Sequence, residues 1–258
     1  MMKDKITIIK VGGKIVEESD SLGNLLDRFA SIEGNKVLIH GGGRSATGMA
    51  ARLGIESRMV GGRRITDEAM LQVVTMVYGG LVNKNIVAQL QARGINALGL
   101  TGADCNIITA HKRPVGEVDY GFVGDVDHAD GKMLAGLIEQ GIVPIVAPLT
   151  HDGKGNLLNT NADTMAAETA KALAKHYDVT LTYCFEFPGV MRDPENPTSL
   201  IPSITRESYR TLLEDGTISG GMIPKIDNAF NAIENGVKKV IITRADAIDG
   251  IQGTHIIA

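Results

Sequence analysis

An α/β fold is predicted, a three-layer αβα sandwich around a mostly parallel central sheet. Short apolar runs of β-type residues alternate with amphipathic helical stretches along the chain. The strand runs are continuously apolar instead of alternating, as strands covered on both faces must be. Glycine clusters directly follow two of these runs, at the strand ends where such sheets collect ligands.

Taken in order, strands are expected at residues 6–9, 37–39, 97–100, 107–109, 142–146, 179–183 and 239–242, all of them Val-, Ile- or Leu-rich. Helices are expected at 22–30, 45–53, 67–91, 132–139, 162–175, 206–214 and 224–233, from their apolar spacing and their polar or proline openings. Residues 57–66 and 150–158 read as β-hairpins, short and with glycine near a turn. The proline- and asparagine-rich stretch from Arg192 to Thr198 reads as a surface loop. A soft boundary falls at 175–178, between a long helix and a new strand, and divides the chain into residues 1–177 and 178–258.

The 258 residues are 43% hydrophobic and 22% charged, ordinary for a globular chain of one large domain or two fused lobes. The net charge is −4 and the Lys and Arg residues are scattered, which argues against a nucleic-acid partner. No apolar run approaches a membrane span, and no leader segment precedes the first strand. Cys105 and Cys184 have no metal-ligand spacing and suggest a reducing compartment, so the cytoplasm is the expected location.

Five short motifs carry the chemistry. Lys10-Val-Gly12-Gly13 ends the first strand, and His40-Gly41-Gly42-Gly43 ends the second. Backbone N–H groups without side chains, at strand ends and helix starts, donate closely to phosphate or carboxylate oxygens. His40 itself reads as a strand-end residue. The second loop is neither a Walker loop nor a dinucleotide loop, because both required glycine spacings are missing. Gly62-Arg63-Arg64-Ile-Thr66 offers an arginine fork for a carboxylate, although two solvated arginines would read alike. In Asn159-Thr-Asn161-Ala-Asp163, one side chain can cap the following helix, while Asp163 among lysines would stay ionised. Gly221-Met222-Ile-Pro-Lys225 opens a helix with a lysine, against the electrostatic preference of that end.

In order and spacing these motifs resemble the amino acid kinase family across nearly the whole chain. Within it they are most similar to members that phosphorylate the γ-carboxylate of N-acetyl-L-glutamate in the second step of arginine biosynthesis. The resemblance implies ATP with Mg²⁺, and an acyl-glutamate lobe and dimer seam in residues 1–177. It puts the ATP lobe in residues 178–258, with no metal ligand assigned in the protein. It implies catalytic roles for Lys10, Lys225 and Asp163, the aspartate organising the two lysines. It assigns Gly41, Gly42, Gly43, Arg64, Asn159 and Asn161 to the substrate, and Gly12, Gly13, Glu186, Gly189, Ser219, Gly221 and Met222 to the nucleotide.

Three departures from the family pattern stand out. Phe185-Glu186-Phe187-Pro188-Gly189-Val190 replaces a stretch that usually carries a hydroxyl and an aspartate. Met59 replaces a frequent lysine. Arg63 replaces an apolar residue before the hairpin arginine and hints at a bulkier or more anionic acyl group, such as N-succinyl. Arginine-inhibited members carry an extra N-terminal helix; here Lys10 comes too early for one, so the expectation is a homodimer without arginine feedback, joined along residues 67–91. Competing readings are other members of the family, a non-catalytic nucleotide or amino-acid sensor on the same fold and, more remotely, a dehydrogenase.

Overall fold

The computed structural model describes residues 3–193, 195–196 and 198–257. In chain order it runs β1 (Lys5–Val11), α1 (Gly13–Glu17), α2 (Ser19–Ser31), β2 (Asn35–His40), α3 (Gly43–Arg52), β3 (Met59–Val60), β4 (Arg63–Arg64) and α4 (Glu68–Val74). A π-helical stretch, Thr75–Val82, leads into α5 (Asn83–Gln91), followed by β5 (Ala97–Leu100), β6 (Ile108–Lys112), β7 (Gly124–Ala129), α6 (Gly131–Glu139) and β8 (Val143–Val146). Then come β9 (Leu149–His151), β10 (Leu157–Asn159), α7 (Ala162–Leu173), β11 (Asp178–Phe185), β12 (Ser203–Ile204), α8 (Arg206–Glu214), α9 (Met222–Glu234), β13 (Lys239–Arg244) and β14 (Thr254–Ile256).

One eight-stranded sheet in the order β12-β14-β13-β11-β1-β2-β8-β5 spans the molecule. Its pairings are parallel except β13 with β14. Side chains alternate strictly across it. Ile6, Ile8, Val37, Ile39, Leu181 and Val240 enter one core with α6, α7, α8 and α9. Ile9, Val11, Leu38 and Cys184 enter a second core with α1 to α5. Those two cores are the layers that the continuous apolar runs require. Among the described residues, no helix is long and apolar enough to cross a membrane.

Strand β1 is the hinge of the topology. The chain moves from β1 to β2 on one side, and from β11 to β13 on the other. Loops leaving neighbouring strands in opposite directions open a crevice at the strands' carboxyl ends. That crevice lies between Lys10–Gly13, after β1, and Phe185–Glu186, at the end of β11, with Gly12 N–H bonded to Cys184 O at 3.1 Å.

Three expectations need correction. The run at 107–109 does not join the main sheet: β6 belongs to a four-stranded sheet, β10-β9-β6-β7, antiparallel to β7. His111 and Lys112, at its end, are exposed, as a sheet with one wet face allows. The helix at 67–91 is continuous but not uniformly α, because Thr75–Val82 widens to π geometry. Short β12 and β14, and polar-faced β7, carry too few apolar residues to read as strands. Both expected hairpins form, as β3–β4 and β9–β10.

The helix layer is tight where α6 meets α7. A Cβ on Gly131 would lie 2.3 Å from Ala172 O, whereas one on Gly136, mid-helix in α6, meets nothing within 4 Å. Gly131→Ala is therefore expected to lower unfolding free energy by about 1–3 kcal/mol. Gly136→Ala is expected to raise it by about 0.5–1 kcal/mol through helix propensity. Denaturant midpoints of the two variants check the contrast, and equal shifts would contradict this packing.

Candidate active site

Lys10 ends β1 with its side chain on the α7–α9 face, and is 8% exposed. Its Nζ lies 2.7 Å from Asp163 Oδ1, and Lys225 Nζ lies 2.7 Å from Asp163 Oδ2. The three residues come from a strand end and from the first turns of α7 and α9, up to 215 positions apart in the chain (225 − 10). Asn161 places the aspartate: its Oδ1 caps α7 by accepting from Asp163 N at 2.8 Å and Thr164 N at 3.1 Å. Tyr183, buried under the sheet's end, donates its hydroxyl to Asp163 O at 3.3 Å. Burial alone would raise the Asp163 pKa; Lys10 and Lys225 outweigh it and hold the carboxyl at about 2. Lys225 sits at a helix N-terminus, where a cation opposes the dipole, and the aspartate compensates it. Two ammonium groups share one carboxylate, so the cluster carries one positive charge in excess.

The glycine loops meet beside this cluster. A Cβ on Gly13 would lie 3.6 Å from Gly43 N, and one on Gly41 would lie 3.4 Å from Gly13 N. The two loops thus stand in contact, with no side chain between their backbone N–H groups. Gly43 opens α3, whose first N–H groups have no intrahelical acceptor. Gly42 lies against the Tyr78 ring, where a Cβ would stand 3.0 Å from Cδ1.

Two cavities open here. One is lined by Gly41, Gly42, Gly43, Arg63, Arg64, Tyr78, Asn159 and Asn161. The other is lined by Lys10, Gly12, Gly13, Lys14, Arg44, Phe185, Glu186 and Lys225. They share Gly43, Met59 and Arg64, so they form one cleft with the α3 N-terminus at its middle. An anion in each half would meet its neighbour at unpaired N–H groups and two lysines.

Arg64 is buried and donates to Gly43 O at 2.7 Å, to Thr47 Oγ1 at 3.0 Å and to Ser57 Oγ. The hairpin thus fastens its guanidinium onto α3. Asn159 Nδ2 donates to Thr66 Oγ1 at 2.9 Å, and Thr66 Oγ1 to Arg64 O at 3.1 Å, so Asn159 and Arg64 belong to one wall. Among the described residues, no three of His, Cys, Asp and Glu converge as a metal cage.

The remaining expected residues divide. Glu186 pairs with Lys14 at 3.2 Å and with Arg44 at 3.8 Å in the wall of the second cavity. Gly189 lines neither cavity; a Cβ there would stand 2.5 Å from Leu200 and 2.6 Å from Thr254, a packing reason for glycine. Ser219, Gly221 and Met222 form the turn into α9, with Met222 N bonded to Ser219 O at 3.2 Å, and they line neither cavity. Sequence reading missed Lys14, Arg44 and Tyr78. Lys14 and Arg44 each follow a glycine loop directly, a usable signal; Tyr78 is hidden in an apolar helical run whose π register is not readable.

The chain is 65% identical over 255 residues to the acetylglutamate kinase of Bacteroides thetaiotaomicron, covering 99% of both chains. It is 55% identical over 245 residues to the acetylglutamate kinase of Cytophaga hutchinsonii, covering 95% of this chain and 93% of that one. Among solved structures it resembles the smu.665 protein of Streptococcus mutans UA159, at a TM-score of 0.80 and 27% identity, covering 97% of this chain and 98% of that one. The profile of the amino acid kinase family matches residues 5–244, and the chain belongs to that family.

Proposed function

We propose that this chain transfers the γ-phosphoryl group of ATP to the γ-carboxylate of N-acetyl-L-glutamate. The products are N-acetyl-γ-glutamyl phosphate and ADP, in the second step of arginine biosynthesis. The observation that carries the reading is the pair of cavities meeting at Gly43, with the Lys10–Asp163–Lys225 cluster beside the junction. Relatives named acetylglutamate kinase at 63–65% identity support the choice of acceptor.

The γ-carboxylate has an ordinary pKa of about 4.3 and is ionised near neutral pH, so its attack needs no general base. One carboxylate oxygen forms a bond to the γ-phosphorus while the bond to the β-bridging oxygen breaks. The difficulty is bringing anion to anion and holding charge on the equatorial oxygens, which calls for positioning and cations. Arg64 and Asn159 hold the α-carboxylate. Lys10, Lys225 and the N–H groups of Gly42 and Gly43 receive the phosphoryl charge. Asp163 keeps both ammonium groups aimed. Gly12, Gly13, Lys14 and Arg44 face the nucleotide phosphates, and Glu186, Gly189, Ser219, Gly221 and Met222 are assigned to the nucleotide side. Magnesium fits as an ion carried on those phosphates and water, which needs no protein cage; when bound it neutralises phosphate charge.

Residues 1–177 are assigned to the acyl amino acid and 178–258 to the nucleotide, in a cytoplasmic homodimer. Exposed Met76 and Leu81, 53% and 59% accessible on the π-helical stretch, support a dimer seam there.

One observation favours a second reading, the same reaction on N-succinyl-L-glutamate. Arg63 lines the acceptor cavity half-buried, and among the described residues no carboxylate lies within ion-pairing distance of it. Burial lowers its pKa, as does neighbouring Arg113, itself bonded to Asp125. A second carboxylate on the acyl group would relieve both effects.

Release of ADP with ATP, Mg²⁺ and each of N-acetyl-L-glutamate, N-succinyl-L-glutamate, glutamate and aspartate tests the reaction, with hydroxylamine trapping the acyl phosphate. Turnover of an N-acyl-glutamate and none of free glutamate is expected; silence with all four would sink the proposal. Lys10→Ala and Lys225→Ala are each expected to lower kcat by roughly 10²–10³-fold, the order lost with one preorganised donor. Wild-type turnover by either would remove its assigned role. Under the second reading, Arg63→Leu lowers kcat/KM for the succinyl substrate at least about tenfold, the loss of one charged hydrogen bond, and spares the acetyl substrate. An unchanged acyl preference would retire that reading. Sedimentation is expected at twice the chain mass; a monomer or a hexamer would refute the dimer.

A further inference from the structure

The mechanism above leaves one buried polar network unused. It lies on the sheet face opposite Lys10, and its centre is His40, fully buried at the end of β2. His40 Nδ1 stands 2.7 Å from Gly41 O, and its Nε2 stands 3.1 Å from Asn83 Nδ2. The orientation of the Asn83 amide is fixed independently of the ring. Its Nδ2 also donates to Ile145 O at 2.9 Å, and its Oδ1 accepts from Lys84 Nζ at 3.1 Å. Lys84 is anchored in turn on Gly99 O at 2.9 Å. A carbonyl only accepts and an amide NH₂ only donates. The His40 proton therefore belongs on Nδ1, with Nε2 as acceptor. An imidazolium would set a second N–H against the Asn83 amide. Burial keeps the ring neutral, bringing its pKa down to about 4.

That hydrogen bond falls at the loop joining the two cavities. The C=O and N–H of a trans peptide point to opposite sides of one rigid plane. Holding the Gly41 carbonyl on the His40 side turns the Gly42 N–H away from it, toward the α3 opening and the cleft. Gly41 has no side chain to favour one peptide orientation, so its own backbone would not fix the plane. Tyr78 closes the other side of the loop, against Gly42.

We propose that His40 is a positioning residue for phosphoryl transfer: its Nδ1–H holds the Gly41 carbonyl and thereby aims the Gly42 N–H group at the transferring phosphoryl group, with Asn83 selecting the tautomer. The inference rests on the phosphoryl-transfer reading of the cleft. His40 touches no reacting atom; it acts through the loop.

Two amide variants separate this role from simple core packing. In His40→Asn the side-chain amide reaches the place of Nδ1 and keeps the donor to Gly41 O. In His40→Gln it reaches the place of Nε2 and keeps only the contact to Asn83. His40→Asn is expected to keep kcat within about threefold, and His40→Gln to lose roughly 10²-fold in kcat, the order lost with one misplaced donor, with both KM values little changed. A purely structural role would lower the melting temperature of both variants alike and leave the kcat of the folded protein equal. ¹⁵N NMR of the histidine-labelled wild type needs no variant to fold. A neutral ring protonated on Nδ1, unchanged from pH 6 to 8, supports the inference. Protonation on Nε2, or titration within that range, overturns it. Wild-type inactivity with every acceptor would sink the functional reading and this inference together. Equal kcat in His40→Gln and wild type would sink the inference alone.

Discussion

A carboxylate shared by two ammonium groups has to be assembled from three remote pieces of chain, and here it decides where those pieces meet. Asp163 can hold its charge in a buried place only because Lys10 and Lys225 are both there. Neither lysine has another acidic partner among the described residues. The end of β1, the cap of α7 and the opening of α9 are thereby tied to one point. That point stands above the strand at which the topology changes direction. The cluster's surplus positive charge then faces the cleft as a preformed receptor for an anion.

The rest of the site follows from how bare backbone can pack. Two glycine loops lie against each other at the carboxyl ends of β1 and β2, backbone against backbone. The shared Gly43 joins two cavities into one cleft, the path along which the proposed donor and acceptor would line up. Arg64 closes the path from the hairpin side by gripping α3, so the hairpin and the helix that offers its N–H groups act as one body. Binding groups thus sit on strands, helix starts and one braced hairpin, where little reorganisation is needed at the moment of transfer.

Much of this was legible in the sequence. The continuous apolar runs announced the sheet, Lys225 stood out as a cation at a helix N-terminus, and the grouping of Lys10, Asp163 and Lys225 came from the family resemblance. A cap was legible at Asn161 or Asp163, and the structure gives it to Asn161. What was not legible depended on long-range register. The strand at 108–112 lies in the second sheet, paired with β7 and β9, which its local pattern does not reveal. The π geometry of Thr75–Val82 has no composition of its own and hid Tyr78 in the apolar run. Gly189, read as a ligand contact, also has a packing reason to lack a side chain, in Leu200 and Thr254, residues no local pattern connects to it. His40 looked like a bystander because its partner Asn83 lies 43 positions away (83 − 40).

The π-helical stretch also sets how this region can change its length. A π turn closes its hydrogen bond one residue further along than an α turn and so takes up extra chain. Tyr78 inside the stretch rests on Gly42, and Asn83, just past its end, holds the ring of His40. Deleting one residue between them would let the helix tighten to α, but each α-helical residue turns the chain by about 100°. Only one of the two contacts could then survive. The helix is thus a ruler with two marks, Tyr78 and Asn83, read by the same loop.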